Sequence, residues 1–399
     1  MKKKIEYLLT PKAIRERTAA LFDLTLRGKT HFNYHPEKLR DVADFTLEVI
    51  KENYPDLDIP FHSRWGHFQA GGVDRNSKFN ELLKDKGALE KARSKLDLVI
   101  TSVLLDAGAG PEWKFVEDDK EYNRSEGLGV ASWHMFCDGY FSVDGQPKAD
   151  GSKLKTIEAK DIEQAFQVGP SNPLVGAPGR ASLLKALGNC VESNLEVFKD
   201  ARPGNILDHM IAERGKYFAA QDLLKAVLIH FGEIWPSRLK VDGVNLGDVW
   251  RHSGLEAKDE LSNLVPFHKL SQWLTYSLIE PIQEAGVEVH SAHEMTGLAE
   301  YRNGGLLLDS GLITLKDPGL KEKAHRPDSE LIIEWRALTV ALLDKLAPLI
   351  RESLGVKEEN FPLAKILEGG TWHAGRRLAK EKRSDASPPL KLESDGTVF

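Results

Sequence analysis

Apolar residues recur at spacings of three and four through most of this chain, and that period predicts helices over 11–26, 38–53, 80–105, 126–137, 180–199, 219–231, 267–284, 329–353 and 362–367. In 267–284, Leu270, Trp273, Leu274, Ser277 and Leu278 form one face suited to burial, and Pro281 is expected to kink or end the helix. Strand signals are confined to 287–290, 306–309 and 390–392. No repeat of solenoid period is present, and the Pro- and Gly-rich stretch 169–179 reads as one structured loop before a helix. It is too short for a flexible interdomain linker. The expected fold class is mainly α: a compact multi-helix domain with a few short β strands. A single domain over 1–399 is expected, with N-terminal helices and a C-terminal clasp packed on one helical body.

The pattern breaks most sharply within 96–142. Leu96, Val99, Val103 and Asp106 share a helical face, so Asp106 falls at a helix C-terminus, where the dipole disfavours negative charge. Gly108, Gly110 and Pro111 end that helix, and Arg124-Ser125-Glu126-Gly127 opens the next, whose first turn favours anions. Two acids at helix ends broken by glycine point to a site; a helical hairpin whose polar residues are caps is the plainer alternative.

Composition narrows the classes. The 399 residues contain no run of roughly eighteen apolar residues, and the N-terminus lacks the apolar core of a secretory signal, so a cytoplasmic location without membrane association is expected. Cys137 and Cys190 cannot make a disulfide framework, and both sit in apolar contexts typical of buried thiols. A net charge of −6 argues against nucleic-acid binding, although local arginines could receive one phosphate. Phosphate loops, G-x-G-x-x-G, G-x-S-x-G and paired C-x-x-C patterns are all absent from the sequence. What remains is carboxylate acid/base chemistry in an aromatic and arginine-rich pocket.

Three further runs add candidates. Residues 60–75 bring together His62, Arg64, His67, Trp65 and Phe68, suited to holding an anion or hydroxyls and stacking on a planar ligand, with Gly71-Gly72 permitting a tight turn. The five-residue spacing of His62 and His67 fits no tidy metal hairpin, and His290, His293 and Glu294 read as surface or capping residues more than as ligands. Glu300, Tyr301 and Arg302 precede Gly304-Gly305, so a helix ending at the glycines would present them around its end; Asp309 follows. A buried salt bridge fixing a helix end would also account for Glu300 and Asp309. Trp372, His373, Arg376 and Arg377 have helical spacing, and Ser394 to Phe399 are expected to pack back near the 60–75 loop.

The runs IPFHSRWGHFQAGGVDR, DLVITSVLLDAGAGPEWKF, RSEGLGVASWHMF, FHKLSQWLTYSLIEP, TGLAEYRNGGLLLDSG, EWRALTVALLD and SDGTVF resemble the uracil-catabolism protein four family over nearly the whole chain. Gly66 stands where a larger residue is expected. The resemblance implies a pyrimidine-degrading route that also uses a cyclohydrolase-like enzyme and a uracil phosphoribosyltransferase, and passes through a ribosylurea-type intermediate. LAEYRNGGLLLDSGLI is also similar to the Asp-Tyr-Arg segment of queuosine salvage glycosidases, with Glu300 in place of Asp. That likeness implies a DNA-glycosylase-like helical core.

Together these imply a hydrolase that cleaves the N-ribosyl bond of a ribosylurea or its 5-phosphate through an oxocarbenium-like transition state. Asp106, Glu126 and Glu300 are the expected acids, converging on one cavity. Arg64, Arg124 and Arg302 would hold phosphate or hydroxyls, Trp65, Trp113 and Tyr301 would form walls, and His62, His67, Ser125 and Asp309 would complete substrate binding. No cofactor, metal or nucleic acid is expected; the partners are a small ribosyl substrate and, functionally, the cyclohydrolase-like enzyme. A non-catalytic metabolite-binding or scaffold protein and a metal-dependent amidohydrolase are the alternatives.

Overall fold

The computed structural model describes residues 2–106, 108–235 and 239–393. The fold is mainly α, with two-stranded β pairs as its only sheets among the described residues. The chain divides into two compact units. One comprises Met1–His62, Ser237–Gln272 and Ser291–Phe399; the other comprises Ser63–Pro236 and Trp273–His290.

In the first unit the 25-residue helix Glu330–Leu354 packs against Pro11–Leu26 and Leu39–Asn53. Ile14, Leu21, Trp250, Val265, Phe267, Ile333, Ala337 and Val340 form its core. Inside that core Arg336 makes a fork-to-fork pair with Asp248, at 2.8 and 2.7 Å. Asp248 also accepts from the Trp250 indole and the Lys269 amide.

The expected strand at 306–309 is instead the second half of the helix Tyr301–Asp309, which begins at the acid and runs through both glycines. The reason is packing. A methyl on Gly304 would lie 2.8 Å from Trp335, so the helix needs glycine there to seat against Glu330–Leu354. The strand expected at 390–392 is present as Lys391–Leu392, paired in parallel with Ala324–His325. Past Ile366 the chain enters a π-helical turn, Leu367–Thr371, before the helix Trp372–Lys382. The expected docking of 394–399 lies outside the described residues.

In the second unit the helix Ala88–Leu104 is buried on every side from Ser94 to Leu104, the pattern of a central core helix rather than an amphipathic surface one. The helix Arg124–Cys137 packs on it and on the short helix Arg64–Phe68. The predicted helix 80–105 is in fact two, Arg75–Leu82 and Ala88–Leu104, parted at residues 83–87. The hairpin Lys114–Glu117 and Lys120–Asn123 went unread in the sequence, because Asp118 and Asp119 supply the left-handed turn that Asn-Gly usually signals. The strand signal at 287–290 is realised as Glu288–His290, parallel to Tyr217–Ala219. The helix Lys269–Glu284 continues through Pro281 and ends three residues later.

Candidate functional site

The chain turns at Ser63 into a single helical turn, Arg64–Phe68, whose side chains meet the core of the second unit. Arg64 is fully buried. Its Nε donates to Ser102 Oγ at 2.7 Å, and its Nη1 donates to Asp106 Oδ1 at 2.7 Å and to His67 Nδ1 at 3.0 Å. A guanidinium has no lone pair to offer, so His67 Nδ1 is the acceptor and the proton of the neutral ring sits on Nε2. Burial pulls the Arg64 guanidinium below the usual arginine range, and Asp106 opposes that fall. The close approach depends on Gly129: a methyl there would lie 2.9 Å from His67 Cβ.

Asp106 lies just past the C-terminus of Ala88–Leu104 and keeps a small solvent-facing edge, with 12% of its side chain exposed. Ser125 Oγ, in the first turn of Arg124–Cys137, is 2.6 Å from both of its carboxylate oxygens. Arg180 answers the unfavourable dipole of that helix end. It donates from Nε to the Leu105 carbonyl at 2.9 Å and also reaches the carbonyls of Gly108 and Val175. Burial lowers Arg180 to about 10, against the pull of Asp106. Nothing in the local sequence marks Arg180, which enters across 75 residues of separation.

Two donors in this cluster have no hydrogen-bond partner: Arg64 Nη2 and Trp273 Nε1. The Trp273 ring lies 5.6 Å from the Arg64 guanidinium and 5.6 Å from the His67 ring. Ser277, one turn further along, accepts the Arg64 backbone N–H on its Oγ and the Trp65 indole N–H on its carbonyl, each at 2.8 Å. Trp113 is wholly buried and donates to the Phe166 carbonyl, which makes it core rather than an open wall. Glu126 is half-buried and Arg124 is exposed, with its backbone left-handed (φ 53°).

The remaining predicted residues belong to the first unit. Glu300 is the N-cap of Tyr301–Asp309: its carboxylate accepts the backbone N–H groups of Arg302 at 2.7 Å and Asn303 at 2.5 Å. Arg302 donates to the Ala386 carbonyl and stacks over Tyr301. Asp309 makes a two-pronged pair with Arg383, fixing this helix end to the C-terminal segment. His62 Nδ1 is 2.7 Å from Glu368, which sits in the π turn beside Trp372. Burial and Glu368 push Tyr54 up to about 12. Sequence reading missed Glu368, the partner of His62, and Tyr54, which bonds to Glu368.

Burial raises both cysteine thiols, Cys190 to about 11, so neither offers a thiolate near neutral pH. His290 stacks on Tyr217 at 4.3 Å, and His293 and Glu294 lie in the short turn Ala292–Glu294. No described helix is long and apolar enough to cross a membrane.

Comparison with known proteins adds the family. A family model described as "Protein of unknown function (DUF1688)" matches residues 7–399. "Uracil catabolism protein 4" of Lachancea kluyveri is 36% identical over 438 aligned residues, covering 99% of each chain. "Protein urg3" of Schizosaccharomyces pombe is 40% identical over 386, covering 92% of each. With full-length relatives at these identities, the chain belongs to the DUF1688 family, that of uracil catabolism protein 4.

Proposed function

We propose that this protein serves uracil catabolism as a hydrolase of the N-ribosyl bond in a ribosylurea-type intermediate. The observation that carries the reading is Asp106, a carboxylate clamped by buried Arg64 and by Ser125 yet open along one edge. Cleavage of an N-glycosidic bond builds positive charge on the sugar ring, and a preorganised carboxylate next to that ring stabilises it without reorganising. Glu126, one residue beyond Ser125, is the base for the attacking water. His67 donates a hydrogen bond from Nε2 to the departing urea nitrogen, and the proton that this nitrogen takes up is the one Glu126 removes from the attacking water. Glu300 enters as a helix cap, not as one of the acids.

The test is to incubate the purified protein with synthetic ribosylurea and with its 5-phosphate and to measure free urea. Urea release that disappears in Asp106→Asn while the variant keeps a cooperative thermal unfolding transition above the assay temperature supports the reading. Tight binding of either compound with no release of urea would replace the hydrolase with a metabolite-binding or scaffold protein of the same route.

A further inference from the structure

The ligand of the Asp106 site carries an anionic oxygen group, and we infer that Arg64 Nη2 and Trp273 Nε1 are the two donors that bind it. This rests on the reading of Asp106 as the centre of a ribosyl site and adds the chemical class of the substrate: a sugar phosphate monoester. Both donors are buried and lack a hydrogen-bond partner. A buried N–H without an acceptor costs free energy, more so on a charged group, and native cores almost never leave one without a reason. Here two such donors come from different elements, Arg64–Phe68 and Lys269–Glu284, and the Arg64 guanidinium lies over the Trp273 ring, 5.6 Å from its centroid.

The charge balance specifies the sign. Two buried guanidiniums, Arg64 and Arg180, bracket the single carboxylate of Asp106. A neutral ribosyl compound carries no group matched to a buried guanidinium, whereas a phosphate monoester offers charged acceptor oxygens of the kind a guanidinium fork and an indole N–H both suit. Arg64 thereby has two tasks on different nitrogens: Nη1 holds Asp106 and His67, and Nη2 is left for the ligand.

The experiment is calorimetric titration of the full chain with ribose 5-phosphate, inorganic phosphate and ribose. Ribose 5-phosphate should bind at least tenfold more tightly than ribose, and inorganic phosphate should displace it. Trp273→Phe keeps an aromatic ring and removes only the N–H. It should weaken ribose 5-phosphate roughly tenfold, the scale of one hydrogen bond to a charged group, with ribose unchanged. Ribose binding as tightly as its 5-phosphate would overturn the inference without any variant, and so would Trp273→Phe with wild-type affinity for the 5-phosphate. The outcomes separate from those of the hydrolase reading. Equal urea release from ribosylurea and its 5-phosphate keeps the hydrolase and removes the anion site. Phosphate-dependent binding lost in Trp273→Phe, with no urea from either compound, keeps the anion site and removes the hydrolase.

Discussion

Trp65 donates its indole N–H to the carbonyl of Ser277 at 2.8 Å, and this is the carbonyl that Pro281, four residues on, leaves without its helical partner. The proline therefore does not end the helix Lys269–Glu284. It frees one acceptor, and that acceptor fixes the turn carrying Arg64 and His67 onto the helix carrying Trp273.

Removing the indole N–H should expose this dependence. Trp65→Phe strands a buried carbonyl and should cost about 1–3 kcal/mol in denaturant unfolding. In a Pro281→Ala background the new backbone N–H can take the carbonyl, so the same change should cost clearly less. Equal costs in the two backgrounds would show that the Ser277 carbonyl does not couple them.

Gly304 and Gly305 are adjacent in one helix but differ in what surrounds them. A methyl on Gly304 meets Trp335 at 2.8 Å and Thr339 at 2.9 Å, while one on Gly305 meets only Pro389 at 3.4 Å. Gly304→Ala should lose about 1–3 kcal/mol by overpacking. Gly305→Ala, helped by a helix propensity gain of up to about 1 kcal/mol, should be close to neutral. Thermal melts of both variants check the contrast, and matching melts would remove the packing explanation for the helix at 301–309.

Helix positions such as 11–26 and 330–354 were legible because each buries one long face against another helix, and that requirement imprints the period. The 301–309 run was misread because glycine pairs and a short apolar stretch carry no period, and only the neighbour Trp335 explains them. Asp106, Arg64, His67 and Ser125 could be found as candidates because polar residues interrupt apolar patterns. Arg180 could not, since its partners are backbone carbonyls, which have no signature in sequence. Trp273 was legible only as a core residue, because what distinguishes it is the missing partner of its Nε1.

Ser125 offers a milder probe of the site than its charged partners. Asp106→Asn removes the charge facing buried Arg64, and breaking a buried pair from one side costs about 3–5 kcal/mol, so lost activity could reflect lost fold. Ser125→Ala removes one hydroxyl and should cost only about 1 kcal/mol of stability. Urea release should nevertheless fall, with the loss in kcat rather than KM if the hydroxyl aligns the carboxylate for the transition state. A rise in KM alone would make Ser125 a ground-state binding contact instead.

Acid stability should report Asp248. Burial alone would raise its carboxyl, but the Arg336 fork, the Trp250 indole and the Lys269 amide together hold it well below the usual carboxylate range. Because the folded form binds its proton more weakly than the unfolded chain, the unfolded state gains protons first as pH falls. The stabilisation is therefore complete above the ordinary aspartate value of about 4 and drains away below it. Asp248→Asn keeps the shape but leaves Arg336 without a counter-charge in the core, and should cost about 3–5 kcal/mol at neutral pH. Between about pH 4 and pH 2 its unfolding free energy should fall less steeply than that of the wild type, because the titrating group is gone. Urea denaturation curves across that range decide the matter: parallel slopes for the two proteins would show that Asp248 titrates alike in both states and that the Arg336 pair contributes no pH dependence.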